Sequence, residues 1–182
     1  MEGARWTADL LQCSIYKYQL AVWFIYIQIY LLLECFDEIK IQGCTSSTQY
    51  SAVNSCEMAF DTDLNADSTD WATTDEGAGA WIQLNFQETY EIERLEIWHR
   101  SDPTAMRFKD IILEFSNGES YDYTLNDNSM ISNQVVFVKL VISEYLKITA
   151  ISTYGIFDNG YSDINVFGCI VGNLIIEVYN GC

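Results

Sequence analysis

Cations are scarce in this chain. Lysine and arginine together number 9 against 26 aspartates and glutamates in 182 residues, leaving a formal net charge of -17. That surplus repels phosphate backbones and anionic headgroups, which excludes a nucleic-acid binder and an electrostatic binder of anionic membranes. Histidine and proline each occur once. A lone histidine, His99, without a Gly-x-Ser-x-Gly, Gly-x-x-x-x-Gly-Lys or His-Glu-x-x-His motif gives no nucleophile, phosphate cradle or zinc pair, so the chain does not read as an enzyme. No Cys-x-x-Cys is present to suggest a zinc ribbon or thiol redox site, and no Asn-x-Ser/Thr to carry an N-glycan. Charged residues are only 19% and apolar ones 49%, a balance that excludes disorder for most of the chain. The length suits one domain.

The remaining features are unevenly spread. Residues 20–33 read LAVWFIYIQIYLLL, broken only by Gln28. As a helix this run would extend about 21 Å, short of a bilayer core, and it fits the central region of a signal peptide or signal anchor. We take residues 1–43 as such a leader and expect a secreted or extracellular protein, membrane-anchored if the leader is retained. Of the six cysteines, four lie from Cys44 onward and allow three pairings. A Cys44–Cys169 bridge would clamp both ends of the central segment.

Within residues 44–169 short strands follow one another. Ile82, Leu84 and Phe86 alternate with Trp81, Gln83 and Asn85. A second strand spans Ile92 to Trp98, with Leu95 and Ile97 out of phase with Ile92, the mark of a bulge. Ile111, Leu113 and Phe115 precede the turn Ser116-Asn117-Gly118, and Tyr121, Tyr123 and Leu125 follow it. Residues 135–142 are nearly all apolar, as in a strand covered on both faces. Leu146, Ile148 and Ala150 alternate, and residues 164–167 and 174–179 supply the last strands. The pattern predicts an all-β sandwich or jelly roll as one domain, with residues 170–182 as an extra strand or tail.

The acidic loop Asp61-Thr62-Asp63-Leu64-Asn65-Ala66-Asp67 offers the alternating oxygens that suit a hard cation, yet it lacks the glycine and the terminal glutamate of an EF-hand. Around it run Ala59-Phe60-Asp61-Thr62-Asp63, Thr69-Asp70-Trp71-Ala72-Thr73 and Ala80-Trp81-Ile82-Gln83-Leu84, then Ile92-Glu93-Arg94-Leu95-Glu96-Ile97 and Arg100-Ser101-Asp102. The series closes on Tyr161-Ser162-Asp163-Ile164-Asn165-Val166-Phe167-Gly168. In this order the segments resemble the discoidin domain, also called the coagulation-factor C-type domain, of the galactose-binding-like superfamily. The resemblance implies a jelly-roll sandwich of about eight antiparallel strands with ligand loops at one end. It also implies a structural calcium held by Asp61, Thr73 or Thr74 and Asp163, with the carbonyls of Met58, Asp63 and Ser162. Thr62 stands where the family has glycine, and Asp163 replaces a longer glutamate.

Arginine forks and flat rings are what sugar hydroxyls and C–H faces require, and Trp98-His99-Arg100-Ser101-Asp102-Pro103 with Arg107 supplies both. The Arg-x-Asp-x4-Arg spacing is similar to part of the fucose-binding motif of F-type lectins, although Asp75 occupies the place of that motif's histidine. His99, Arg100, Asp102 and Arg107 are therefore the candidate carbohydrate residues. The function expected is a non-catalytic module that binds a carbohydrate or a glycoprotein glycan. The alternative is an adhesion or matrix module that engages a protein receptor through the same loops.

Overall fold

The computed structural model describes residues 37–64, 70–100, 107–127, 134–155 and 158–171, together with Gln19 and Val22. Phe36–Val171 form one compact unit; of the other, Met1–Cys35 with Gly172–Cys182, only Gln19 and Val22 are described, both helical. The leader run, Val22 apart, and the strand expected at 174–179 thus lie outside the described residues. Among the described residues no helix is long and apolar enough to cross a membrane.

Seven antiparallel strands build the unit: β1 (Ile41–Ser46), β2 (Trp71–Ala72), β3 (Trp81–His99), β4 (Asp110–Phe115), β5 (Ser120–Thr124), β6 (Gln134–Ala150) and β7 (Gly160–Ile170). Their order is β2-β7-β3-β6-β4-β5, with β1 also on β3. The long strands β3 and β6 pair from Trp81↔Thr149 to Ile97↔Gln134, with the register broken between Asn85 and Tyr90. Before that break β3 is flanked by β1 and β6, which carries β4 and β5 in turn; after it, by β6 and β7. One bent ribbon thereby supplies both leaves of a sandwich. At the bend Ser143 is buried, and its Oγ accepts the Ser116 N–H at 2.8 Å.

Alternation accounts for the core. Ile82, Leu84, Phe86, Ile111, Leu113, Phe115, Leu146 and Ile148 point inward from one leaf, Ile92, Leu95, Ile97, Val136, Val141, Ile164 and Val166 from the other. The bulge expected after Ile92 is present, as a register shift between Ile92 and Arg94 against both β6 and β7.

Three expectations are corrected. The strands expected at 80–86 and 92–98 are one, because Gln87-Glu88-Thr89 contains no glycine or proline and the chain bends instead of reversing. Residues 135–142 are not covered on both faces: Phe137, Leu140 and Ile142 are 69%, 57% and 47% exposed, because only the face carrying Val136, Val138 and Val141 turns into the core. Finally, Cys44 is bonded to Cys56, with Cα atoms 6.0 Å apart, and not to Cys169. Cys44 sits opposite Leu84 and Cys169 opposite Glu91, so seven residues of β3, roughly 20 Å of strand, separate them, beyond the reach of a disulfide. Cys169 is itself disulfide-bonded.

Candidate functional site

The Cys44–Cys56 bridge ties β1 to the short turn Cys56–Ala59, which delivers the acidic loop. There Asp61 Oδ1 accepts the Asp63 N–H at 2.9 Å, and Thr62 takes a left-handed conformation, φ 64°. The Thr62 N–H reaches Asp163, which also accepts from the Ile164 N–H. Asp163 is 2% exposed and its Oδ1 has no partner. Burial, and to a lesser extent the charges of Asp61 and Glu38, push its carboxyl up to about 6. Asp61, far from Asp163 in sequence, is thus near enough for its charge to act on the buried carboxyl. Ser162 is the extra residue of a bulge between Trp98↔Asp163 and His99↔Tyr161, and its Oγ donates to the His99 carbonyl at 3.0 Å. Met58 lies half-buried on the turn that leads into the loop.

An orphaned, buried carboxylate oxygen beside a second carboxylate is the donor chemistry a hard cation takes. The threonines have other engagements: Thr73 Oγ1 donates to the carbonyls of Glu76 (2.9 Å) and Asn159 (3.1 Å), and Thr74 Oγ1 to that of Gln49 (2.9 Å). Among the described residues the one cluster of three close His, Cys, Asp or Glu ligand atoms is Cys44, Cys56 and Glu57, and its sulfurs are bonded to each other.

Arg100 leaves the end of β3 and lies across Gly160. A Cβ at Gly160 would stand 1.8 Å from the Trp71 carbonyl oxygen and 3.0 Å from Arg100 Cδ, so only glycine fits. Arg100 Nη1 donates to the Asp158 carbonyl at 2.6 Å, and Nε lies 3.5 Å from Asp70 Oδ2. Asp158 Oδ1 in turn accepts the Asp75 N–H at 2.9 Å, with both residues near φ +53°. The loop carrying Tyr50, itself 61% exposed, joins this edge through Tyr50 N–H to the Ala72 carbonyl at 2.7 Å. Asn54 Nδ2 adds a bond to the Asp70 carbonyl at 3.0 Å.

His99 and Arg107 have different surroundings. His99 is 2% exposed and stacks on Tyr161, centroids 6.4 Å apart, within a cluster that includes Trp71 and Phe108. Burial, reinforced by the Arg107 charge, pushes its imidazole down to about 4, so it is neutral at physiological pH. Arg107 is buried as well, and its Nη1 pairs with Asp127 Oδ1 at 2.7 Å. Asp102 lies outside the described residues. Of the four candidate sugar residues, Arg100 therefore sits at a loop edge held by Asp70 and Asp158, while His99 and Arg107 are interior. Sequence reasoning did not single out Asp158, Asn159 or Asp127 as partners; the Asp158-Asn159-Gly160 turn signal was the one local clue.

The sequence model of the family described as F5/8 type C domain matches residues 43–164. No curated protein matches by sequence. Among solved structures, the family 32 carbohydrate-binding module of Clostridium perfringens NanJ, in complex with galactose, superposes with a TM-score of 0.60 at 18% identity, covering 72% of this chain and 99% of that one. Chitosan-binding module 1 of a chitosanase/glucanase from Paenibacillus sp. IK-5 gives 0.57 at 16%, covering 69% and 94%. A truncated AlyQ with carbohydrate-binding and alginate lyase domains gives 0.61 at 13%; 75% of this chain spans only 34% of that protein.

Proposed function

Because the chain belongs to the F5/8 type C domain family, we propose that residues 44–169 form a non-catalytic glycan-binding module whose loops are steadied by calcium. The observation that carries the glycan reading is Arg100, a planar fork fixed between Asp70 and Asp158 at a loop edge to which the backbone of the exposed Tyr50 is tied through Ala72. A fork positioned in advance meets paired hydroxyls with little further loss of rotamer freedom, and an exposed ring offers a face to sugar C–H groups. Solved modules of this fold in complex with galactose support the ligand class. Buried Asp163 with its orphaned oxygen, within the electrostatic reach of Asp61, supports the metal. Asp61 and Asp163 would hold the ion with carbonyls of Met58, Asp63 and Ser162, and its charge would lock the early loop onto the last strand. The disulfides of Cys44–Cys56 and Cys169 support secretion.

A glycan array, read with calcium and again with a chelator, tests this. Binding of one or a few related glycans, weakened by the chelator and by Arg100→Ala, is the expected result. A blank array in calcium overturns it. A second reading, an adhesion module for a protein receptor, is favoured by the exposed Phe137, Leu140 and Ile142 on β6. Partner binding that survives both free sugar and deglycosylation would support it.

A further inference from the structure

Residues 134–142 read QVVFVKLVI: seven apolar residues, most of them β-branched, with no proline and no carboxylate. A strand of that composition, left with a bare edge, is a template for a second copy of itself. β6 has such an edge. From Gln134 to Ile142 it pairs with β3, and among the described strands nothing pairs along its other side. Phe137, Leu140 and Ile142 stand exposed along the same stretch.

Two features interrupt that edge. Between the pairs Ile92↔Val141 and Arg94↔Phe137, the three residues Val138-Lys139-Leu140 lie against Glu93 alone. Val138 and Val141 both turn into the core, so Lys139 and Leu140 are successive outward residues and the alternation slips. A bulge of this kind bends the strand and leaves its backbone groups out of line with a straight partner. The second feature is Lys139 itself. It is exposed, and among the described residues it makes no ion pair and lies over no ring. Carboxylates outnumber lysine and arginine by 26 to 9 in this chain, yet none is set against this lysine.

We infer that Lys139, mounted on the bulge, guards the open edge of β6 against pairing with a second copy of the chain. Full antiparallel overlap of residues 134–142 from two copies sets Lys139 of one against Phe137 of the other. Each such pairing would strip two ammonium groups of water beside aromatic rings, a cost no carboxylate offsets. The inference concerns one backbone edge and stands independently of the glycan reading.

Lys139→Val tests it, since valine suits a strand and removes the charge. The substitution takes the net charge from -17 to -18, so bulk repulsion between copies rises. General electrostatics therefore predicts less association, the guard more. In sedimentation of the full chain at about 0.5 M salt, the variant's mass should climb with concentration well above the parent's. Lys139→Glu, which keeps a charge on the bulge, and Lys40→Val, which deletes an exposed lysine elsewhere, should match the parent. Hydrogen exchange locates the contact, with amides of residues 134–142 at least about tenfold slower in the associated variant. Association in Lys139→Val no stronger than in the parent, or equally strong in Lys40→Val or Lys139→Glu, overturns the inference. So does protection confined to residues outside 134–142, or a parent that already protects this edge as its concentration rises.

Discussion

Thr62, held at φ 64°, points its backbone N–H at the buried carboxylate of Asp163. A β-branched residue in that conformation is strained by roughly 1–2 kcal/mol, and the strain persists because the loop must turn there to face the last strand. Thr62→Gly should relieve it. Part of the gain is offset by the freer unfolded chain, so a net stabilisation of about 0.5–1 kcal/mol is expected in urea unfolding. Any destabilisation would mean that the threonine side chain contributes contacts worth more than the strain.

Calcium should raise the melting temperature, and a chelator should lower it again. Asp163→Asn should abolish this response. In chelator the variant should unfold no earlier than the parent protein, because it removes a buried carboxylate whose Oδ1 has no partner. Calorimetric scans of both proteins, with and without calcium, decide the point; an undiminished calcium shift in the variant would place the ion elsewhere.

The pH dependence of stability should include a term from His99. Its folded value is about 4 against about 6.5 unfolded, so the unfolded chain takes the proton more readily. The histidine contribution is therefore fully present above about pH 6.5 and is lost as pH falls toward 4, by about 3 kcal/mol at most. Without metal, Asp163 acts in the opposite sense, since its raised value, about 6, favours the folded state as pH falls through that range. His99→Phe keeps a ring against Tyr161 and should remove only the first term. These two contributions nearly cancel in the metal-free parent, so the variant should gain stability relative to it as pH falls from about 6 to 4; a slope unchanged from the parent would refute this assignment.

Removing the Cys44–Cys56 bridge as a double alanine variant should cost about 3 kcal/mol, the loop-closure value for a separation of 12 residues. The calcium response should weaken as well, because the bridge anchors the turn that leads into Asp61. A variant whose calcium affinity matched the parent's would separate the two roles.

What could be read in advance was local. The alternation of residues 81–86, the phase slip after Ile92 and the order of motifs from Ala59 to Gly168 each depend on neighbours in sequence, and each has its counterpart in the fold. What could not be read was pairing at a distance. Nothing near Cys44 distinguishes Cys56 from Cys169, because the answer depends on β3 carrying their neighbours to different leaves. Similarly, Arg100 and Arg107 look alike as part of one spacing motif. Only the third dimension assigns Asp70 and Asp158 to one and Asp127 to the other, and sinks His99 beneath Tyr161. Residues 135–142 mislead for a related reason: composition reports apolarity, whereas exposure depends on what packs over each face of the strand.

The bent ribbon of β3 and β6 has a consequence for how the molecule comes apart. Two sheets joined only by loops can peel from each other like the covers of a book. Here both covers are cut from the same pair of strands, so the fold has a spine and no seam. Pulling either cover loose unzips a ladder whose strands run on into the other, so melting at the end that carries Asp61 and Asp163 is expected to draw in the far end as well.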